Sequence, residues 1–460
     1  MIKAAAFALA LCLLFARPLV AAEAVILTDI HFNPLADKTL GDALAAAPAE
    51  QWTAILDRGT ERMSPYGTDT DWKLLRAALA ALAAQKKPAF VLLPGDFLAH
   101  SFRDVFNTSV AVHDDAAFRR FTATTMRFLA LQLETTFDHA PLLPALGNND
   151  SDCGDYGVAP GGAFLAATEP TVAGMIGPAL LAGAAGDDFA KSWTALGNYI
   201  VPNPAAPDED IVVINDNFLS PDYRNSCGTA ADINPARATL AWLVRTLAAA
   251  ASAHRKVMLV YHIPPGTDGF ATARHNSCPV SPVPLLAAPY AEELHALILR
   301  YRGTLVANIA GHLHTDGFRI LRDHGATFGF VMIAPALSPI FSQNPAFRRV
   351  TFGDDGTIRD STTFYLGNLS DAAGGAAPQW RAETSFDRAW NVTRFDAASL
   401  ETLYRRIAIS PEARERWIAT YGVQGPANAA LAPPNFALYR CSVGSDLLED
   451  FARCLCGTAR

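Results

Sequence analysis

Short, nearly continuous apolar runs that end abruptly in polar residues are the feature of this sequence that most constrains its fold. Residues 90–93 and 305–310 are examples, and each run is only four to six residues long. Runs of this kind are typical of strands that are buried on both faces of a sheet. The predicted strands are 24–28, 90–93, 142–146, 211–214, 257–261, 305–310 and 328–333.

Stretches with Leu and Ala at helical spacing lie between these runs. The predicted helices are 71–85, 116–133, 235–251 and 290–301. Strands that alternate with helices indicate a layered α/β domain. Two long polar regions, 37–70 and 153–198, are predicted to be loops that form functional rims or lids. Inside the second, the apolar stretch 172–186 contains Pro178 and is too short for a membrane span, so it is predicted to be a loop with a helical turn.

The N-terminal segment has the pattern of an export signal. Lys3 precedes an apolar run over residues 4–15, and small residues follow at 20–22. This order predicts a signal peptide over residues 1–22 and a secreted protein, extracellular or periplasmic, without a transmembrane anchor. The formal net charge of −8 excludes a general field for collecting nucleic acid duplexes or anionic lipid. A phosphate-bearing substrate would therefore need a local positive charge.

The cysteines and the last part of the chain suggest a second unit. Export would leave six cysteines, Cys153, Cys227, Cys278, Cys441, Cys454 and Cys456, an even number that indicates disulfides in an oxidising compartment. Spacing alone does not choose their pairing, although Cys454 and Cys456 are not expected to bond each other. Gly374 and Gly375 are typical of a linker, and 399–407 and 411–421 predict helices. The domains expected are a catalytic one over 23–366 and a small helical, Cys-containing subdomain over 367–460.

Five predicted strands are followed directly by Asp, His or Asn. In chain order these residues are Asp29 and His31, Asp96 and His100, Asn148 to Asp150, His262, and His312 and His314. Ligand sites of open α/β sheets form at the carboxyl ends of strands. Each short motif alone is commonly a turn or a cap, but the five together suit Zn, Mn or Fe in mixed nitrogen and oxygen coordination.

The order DxH, GD, GNND, H and GHxH resembles that of the calcineurin-like metallophosphoesterases. The likeness is greatest to the acid sphingomyelinase-like phosphodiesterase branch. It rests on GDFLAH at 95–100, LAWLVRTL at 240–247, HIPPG at 262–266, APALSPIFSQNPAFRR at 334–349 and the Cys-containing tail. The resemblance implies an αββα sandwich, in which two mixed β-sheets pack face to face and are flanked by helices.

The same resemblance assigns the site. It implies two divalent metal ions, Zn²⁺ above Mn²⁺ or Fe, with Asp96 bridging them. The first ion would be held by Asp29, His31 and His314, and the second by Asn148, His262 and His312. For the disulfides it implies Cys227 with Cys278 and Cys441 with either Cys454 or Cys456, which leaves Cys153 without an obvious partner.

Two metals that share one water make hydroxide available near neutral pH for in-line attack on phosphorus. The candidate catalytic residues are Asp96, His100 and Asn149. Asn149 departs from the family pattern, which has His there, because an amide can donate a hydrogen bond but cannot hand over a proton. Either this variation has little effect or acid catalysis has moved, with His100 the leading substitute and His275 a weaker one.

These inferences predict a secreted dinuclear-metal phosphodiesterase that hydrolyses small phosphodiesters or phosphoanhydrides, of nucleotide or phospholipid type. Asn149 favours substrates whose leaving group departs without a proton. One alternative is an endopolyphosphatase-like phosphoanhydride hydrolase. Another is a purple-acid-phosphatase type, for which the sequence offers no Tyr ligand that can be placed. A third is a secreted binding protein with a non-catalytic site, against which all seven metal positions hold competent residues.

Overall fold

The structure, a computed structural model, describes residues 22–59, 62–225, 234–274, 277–353 and 355–457. The predicted signal peptide lies outside these ranges except for Ala22, and so do Cys227 and His275. Across the described ranges, no helix combines the length and the apolar character needed to cross a membrane.

Two mixed six-stranded sheets form the centre of the described chain. The strands are β1 (Glu23–Ile26), β2 (Phe90–Leu93), β3 (Leu142–Pro144), β4 (Tyr199–Pro202), β5 (Glu209–Val213), β6 (Lys256–Val260), β7 (Leu305–Ala310), β8 (Gly317–Asp323), β9 (Ala326–Ile333), β10 (Ala346–Phe352), β11 (Ile358–Leu366) and β12 (Trp380–Ala382). The first sheet has the order β12-β11-β10-β1-β2-β3, and the second β4-β5-β6-β7-β9-β8.

The strands predicted from the sequence are present, and each of them runs parallel to at least one neighbouring strand. β1, β2 and β3 are parallel in the first sheet, and β5, β6, β7 and β9 are parallel in the second. The strands that the sequence analysis missed, β4, β8, β10, β11 and β12, pair only in antiparallel fashion. Antiparallel strands such as β11 mix polar and apolar residues, so they lack the apolar run that marks a strand buried on both faces.

Alternate residues of the second sheet face two different hydrophobic clusters. Met258 belongs to the larger cluster, which also contains Val25 of the first sheet. Leu259 belongs to the smaller cluster, together with Leu243 from the helix over residues 235–252. Because side chains alternate along a strand, one face of the second sheet shares a core with the first sheet and the other is covered by helices. The expected α/β architecture of two mixed sheets flanked by helices is confirmed.

The helices confirm the predicted helical stretches to within a few residues. The α-helices are α1 (Gly41–Ala46), α2 (Trp52–Leu56), α3 (Trp72–Ala83), α4 (Phe102–Asn107), α5 (Asp115–Thr136), α6 (Ala163–Ile176), α7 (Ala184–Leu196), α8 (Pro235–Ser252), α9 (Gly269–Ala273), α10 (Ala288–Arg300), α11 (Leu369–Ala373), α12 (Phe386–Trp390), α13 (Ala397–Ile409), α14 (Pro411–Tyr421), α15 (Phe436–Val443) and α16 (Leu448–Cys456). In α8, Asn234 accepts a hydrogen bond from the Arg237 backbone N–H (3.1 Å) and Pro235 occupies the first turn, as favoured for a helix start.

The prediction of loops over 37–70 and 153–198 was wrong in part. The first region contains the short helices α1 and α2, and the second contains α6 and α7. Pro170 lies inside α6, where it removes a backbone donor, but α6 packs against both α5 and α7. Burial of residues such as Leu165 against Trp193 therefore sustains a helix that local propensity disfavours.

The segment after residue 366 is not separated from the sheets by a linker. Gly374 and Gly375 follow α11 directly, and β12 then pairs with β11 at the edge of the first sheet. Farther along, α13 packs on β8 and β9, and α15 packs on β8. The helices predicted at 399–407 and 411–421 are present as α13 and α14, whereas the domain boundaries stay a prediction.

The disulfides whose two cysteines both lie within the described ranges are Cys278–Cys456 and Cys441–Cys454. The second agrees with the pairing that the resemblance implies. The expected Cys227–Cys278 bond is wrong, because Cys278 pairs with Cys456 at the end of α16, and Cys227 lies outside the described residues. Cys153, for which no partner was expected, is also disulfide-bonded.

Candidate metal centre

The loops that follow β1, β2, β3, β6 and β7 bring their polar residues to one place. The His31 backbone N–H donates to the Asp96 carbonyl oxygen (2.9 Å), which joins the loops after β1 and β2. The His312 backbone N–H donates to Asp29 Oδ1 (3.0 Å), which joins the two sheets. Because the parallel strands end at the same edge, side chains far apart in sequence become neighbours.

The first predicted ligand group is closely packed and buried. His31 Nε2 lies 3.0 Å from His314 Nε2. Asp29 Oδ1 lies 3.3 Å from His314 Nε2 and 3.9 Å from His31 Nε2. Donor atoms of this type and at these separations can bind one cation together.

The second predicted group lies beside it. His262 Nε2 is 3.0 Å from Asn148 Oδ1 and 3.2 Å from His312 Nδ1. Asp96 Oδ2 lies 3.2 Å from His262 Nε2 and 3.4 Å from His31 Nε2. One carboxylate oxygen therefore reaches both groups, as a bridging ligand must.

The hydrogen bonds of the imidazole Nδ1 atoms show which ring nitrogens are free to bind a cation. The Nδ1 atoms of His31 and His262 face the carbonyl oxygens of Leu98 (3.1 Å) and Pro94 (2.8 Å). A carbonyl only accepts, so each Nδ1 carries a proton and, in the neutral ring, each Nε2 presents its lone pair to the cluster. When both rings are neutral, lone pairs and carboxylate oxygens converge on one region, which is the arrangement that a divalent cation satisfies.

The titration of the cluster agrees with this need. Burial lowers the pKa of His31 to about 4 and that of His312 to about 3, so both rings are neutral and able to ligate near pH 7. Burial also opposes the charged form of His262, but the charge of Asp96 and its hydrogen bond raise the pKa of His262 to about 10. Asp96 and the acids near it therefore favour a positive charge within the cluster.

Backbone strain is concentrated at the predicted ligands. Five of them have left-handed backbone conformations: Asp29 (φ 48°), His31 (44°), Asp96 (56°), His312 (69°) and His314 (56°). Such conformations cost non-glycine residues about 1–3 kcal/mol each and persist only where the surroundings enforce them. The loops hold these side chains in an unfavourable conformation that turns them toward one another.

Comparisons with known proteins place this site in a family context. No family model matches the chain. An acid sphingomyelinase-like phosphodiesterase 3b from Mus musculus is 24% identical over 409 residues, which cover 85% of this chain and 80% of the relative. A cyclic GMP-AMP phosphodiesterase from Rattus norvegicus is 26% identical over 396 residues, which cover 83% of this chain and 79% of the relative. The chain is a homologue of the acid sphingomyelinase-like phosphodiesterases.

Among solved structures, a dimetal phosphatase from Danio rerio aligns with 75% of this chain and 95% of its own at 13% identity, with a TM-score of 0.41.

Two carboxylates that position the loops of the site were not among the predicted catalytic residues or ligands. Asp150 accepts hydrogen bonds from the backbone N–H groups of Asp96 (2.9 Å), Phe97 (2.8 Å), Leu98 (3.1 Å) and Gly147 (2.8 Å). Its carboxylate therefore ties the loop after β2 to the loop after β3. The GNND motif contains Asp150, and this was the signal that could have identified it.

The second such carboxylate, Asp216, supports the loop after β6. It accepts from the backbone N–H groups of His262 (3.1 Å) and Ile263 (2.9 Å). Asp216 lies in a 3-10 turn after β5, and no local pattern in the sequence distinguishes it from an ordinary turn residue.

The structure places His100 and Asn149 next to the predicted ligands. The His100 ring stacks on the His31 ring with centroids 4.0 Å apart. His100 Nδ1 lies 2.9 Å from Asp69 Oδ1, and although burial opposes its charge, Asp69 raises the pKa of His100 above its ordinary value. The Asn149 backbone N–H donates to Asp96 Oδ1 (2.8 Å), and its side-chain oxygen accepts from Asn148 Nδ2 (2.7 Å).

A cavity of about 370 Å³ opens beside this cluster. Asp96, His100, Asn148, His312 and His314 line its floor. Because four of the predicted ligands and His100 line the same cavity, a molecule that fills it can contact these five residues.

The opposite wall of the cavity comes largely from the C-terminal region, including Tyr421 and Tyr439. Two exposed aromatic rings, Phe270 and Phe341, also line it, with 57% and 51% of their surfaces exposed. An apolar face is thus available to one arm of a substrate.

Proposed function

We propose that this protein is a secreted phosphodiesterase that uses two divalent metal ions, with Zn²⁺ the expected metal. The observation that carries the proposal is the position of Asp96 Oδ2, which lies 3.4 Å from His31 Nε2 and 3.2 Å from His262 Nε2. When bound, two such ions withdraw charge from a phosphoryl group and acidify a shared water. The homology to phosphodiesterases supports the same reaction class.

The roles of the chain's own residues follow from their contacts. Asp29, His31 and His314 would hold one ion, and Asn148, His262 and His312 the other, with Asp96 between them. The carbonyl oxygens behind His31 and His262 fix the orientation of these rings before any ligand arrives, so little reorganisation is needed on binding.

His100 is the group that we propose to protonate the leaving oxygen. Asp69 holds its Nδ1 and also accepts from the His100 backbone N–H (3.0 Å), which fixes the ring at the cavity surface. Asn149 can donate a hydrogen bond to a phosphoryl oxygen but cannot supply a proton. With His100 as the acid, phosphodiesters of ordinary alcohols join nucleotide-type anhydrides as possible substrates, and the exposed Phe270 favours an arm with an apolar or flat group.

Secretion is supported by two kinds of observation. Residues 1–22 have the pattern of a signal peptide. The bonds Cys278–Cys456 and Cys441–Cys454 are of a kind that is rare where glutathione keeps thiols reduced.

The test is to measure metal content and turnover together in the wild type and in Asp96→Asn. The wild type should hold two equivalents of metal and hydrolyse bis(p-nitrophenyl) phosphate after loading with Zn²⁺ or Mn²⁺. Loss of the shared carboxylate should lower kcat/KM by at least about a hundredfold. Asp104→Asn, at an exposed position in α4, serves as the matched control.

An Asp96→Asn enzyme with two bound metals and normal turnover would contradict the proposal. Wild-type protein that binds two metals but turns over no phosphodiester would instead favour the non-catalytic binding protein.

A further inference from the structure

The Arg319 side chain is a buried charge that the proposed reaction does not use. Arg319 lies in β8 and only 2% of its surface is exposed, yet it lines the same cavity as His312 and His314. It is on the side of the cavity where the C-terminal region forms the wall.

The guanidinium of Arg319 has few partners. Its Nη1 and Nη2 atoms both reach the Thr267 carbonyl oxygen, each at a distance of 3.3 Å. Its Nε is buried and has no hydrogen-bond partner in the described ranges. No ion pair within 4.0 Å includes Arg319 in this part of the chain, and an unpaired buried charge is costly.

Other buried arginines of the described chain are paired. Arg348 contacts Asp316, and Arg349 contacts Glu23. Arg319 therefore departs from the pattern that this protein itself follows.

A glycine lies where the Arg319 guanidinium approaches the backbone. Gly266 has a φ of 111°, and a Cβ atom at that position would lie 2.1 Å from Arg319 Nη1. Only glycine leaves enough room there, and its left-handed conformation is one that other residues rarely adopt. The Arg319 guanidinium, which has no ion-pair partner in the described ranges, thus lies directly against the backbone of Gly266.

Two acids near Arg319, Asp446 and Asp268, do not lie within ion-pair distance of it. Asp446 Oδ2 lies 2.6 Å from His295 Nδ1 instead. Asp268 also lines the cavity, but its Oδ1 accepts from the Ala271 backbone N–H (2.9 Å) at the start of α9. The donors of Arg319 that Thr267 does not satisfy are left for whatever occupies the cavity.

We propose that Arg319 is a specificity-determining residue that binds a second anionic group of the substrate, a phosphate or a carboxylate separate from the scissile phosphodiester. This inference rests on the proposed function, since it assumes that the reacting phosphate lies at the metal centre. A guanidinium binds such groups through two parallel hydrogen bonds. Arg319 lies five positions after His314, which limits the distance between their Cα atoms to about 17 Å.

The proposal predicts a substrate class. A phosphodiester whose arm ends in a negative group should be preferred over one whose arm ends in a hydroxyl. A substrate whose arm ends in a quaternary ammonium should be disfavoured, because Arg319 would repel it. Hydrogen bonds to charged groups are worth enough to give a preference of about 10–100-fold in kcat/KM.

The experiment uses metal-loaded full-length enzyme and p-nitrophenyl alkyl phosphodiesters with arms of equal length. The arms end in phosphate, carboxylate, hydroxyl or trimethylammonium. Comparison of the first two shows whether a phosphate or a carboxylate is the preferred anionic group. In Arg319→Met the preference for the anionic arms should fall to within about threefold of the hydroxyl arm, while kcat/KM for the hydroxyl arm changes little. Arg319→Lys, which keeps the charge but not the two parallel bonds, should retain an intermediate preference.

Arg348→Met is the matched control, because it also removes a fully buried arginine but one that lies outside the cavity and is paired. Its substrate preference should equal that of the wild type, since a ratio of kcat/KM values does not depend on the folded fraction. An unchanged anion preference in both Arg319→Met and Arg319→Lys would overturn the proposal, as would a wild type without that preference.

A second measurement separates this inference from the proposed function. Inorganic phosphate is titrated by calorimetry into chelator-treated, metal-free protein. Wild-type protein should bind phosphate at least about tenfold more tightly than Arg319→Met. If the wild type hydrolyses none of the diesters, the proposed function fails, and equal phosphate affinity of the two proteins would overturn the role of Arg319.

Discussion

At the scale of single residues, the environment of His100 supports the proposal that it protonates the leaving group. Its ring stacks on His31 and its Nδ1 is held by Asp69, so it is oriented and electrostatically supported as an acid. Asn149, which stands where a proton donor is expected from the family pattern, is instead engaged with Asp96 and Asn148. In the proposed mechanism, His100 would donate the proton and Asn149 would donate a hydrogen bond.

Substitution His100→Ala should therefore affect substrates according to their leaving group. For an alkyl leaving group, kcat should fall by about 10²–10⁴-fold, because the alkoxide needs a proton. For p-nitrophenolate, which departs as an anion, the fall should be within about tenfold. Steady-state kinetics with a series of aryl and alkyl phosphodiesters measure the dependence.

His139→Ala is the control, because His139 is exposed and lies in the loop after α5. Equal losses for good and poor leaving groups in His100→Ala would show that His100 does not act as the acid.

At the scale of elements, the site depends on loops that are bound to one another. Asp150 accepts from four backbone N–H groups of the loops after β2 and β3. These loops also carry Asp96 and Asn148, which have to be presented at fixed positions. A carboxylate that is not itself a predicted ligand thus helps to fix where two predicted ligands lie.

Removing this carboxylate in Asp150→Ala should cost about 3 kcal/mol or more of unfolding free energy, because buried donors are left without acceptors. Metal content should fall as well, since Asp96 loses its fixed position. Urea denaturation and elemental analysis measure the two effects. Asp188→Ala, at an exposed site in α7, should change neither, and a stable Asp150→Ala protein with full metal content would contradict this role.

A second element-level contact makes the attachment of the C-terminal region dependent on pH. His295 of α10 has its Nδ1 2.6 Å from Asp446 Oδ2, in the segment between α15 and α16. The hydrogen bond to Asp446 raises the pKa of His295 above its ordinary value, although burial opposes this. The charged pair is therefore fully stabilising below the ordinary histidine pKa of about 6.5, and its contribution is lost as the pH rises through the raised value.

The difference in unfolding free energy between wild type and His295→Gln should accordingly shrink as the pH increases across that window. Urea denaturation at several pH values measures it, with His324→Gln, a fully exposed site, as the control. A difference that stays constant with pH would show that the charge of His295 does not stabilise the fold.

At the scale of the whole molecule, the C-terminal region forms part of the cavity beside the predicted ligands rather than an appendage. Tyr421 and Tyr439 line that cavity together with His312 and His314, and β12 extends the first sheet. The Cys278–Cys456 bond joins α16 to the segment after α9 across 178 residues. The Cys441–Cys454 bond closes a loop of only 13 residues within the C-terminal region itself.

The two bonds should therefore differ in their effect on stability. Replacing Cys278 and Cys456 by Ser should lower the unfolding free energy by about 2 kcal/mol more than replacing Cys441 and Cys454, because a longer chain is released in the unfolded state. The first double variant should also raise KM, since the cavity wall is less firmly attached. Urea denaturation under non-reducing conditions measures the difference, and equal losses would contradict the expectation.

The sequence by itself determined the parallel strands and the polar residues that follow them. Strands buried on both faces carry unbroken apolar runs, so β2 and β7 could be recognised from a few adjacent residues. The carboxyl ends of parallel strands meet, so residues such as Asp96 and His312 could be expected to gather, and the structure brings them together, while their roles as ligands stay predictions. Helices α3 and α8 followed in the same way from the spacing of their apolar residues.

Only the tertiary structure decided the features that depend on distant partners. The antiparallel strands β10 and β11 are recognised only from their pairing, because their mixture of polar and apolar residues does not show which face is buried. The pairing of Cys278 with Cys456, the support of His100 by Asp69 and the unpaired state of Arg319 each depend on which segments the fold brings into contact. Local sequence fixes periodicity and burial, whereas the free energy of a contact between remote residues depends on geometry that exists only after the chain has folded.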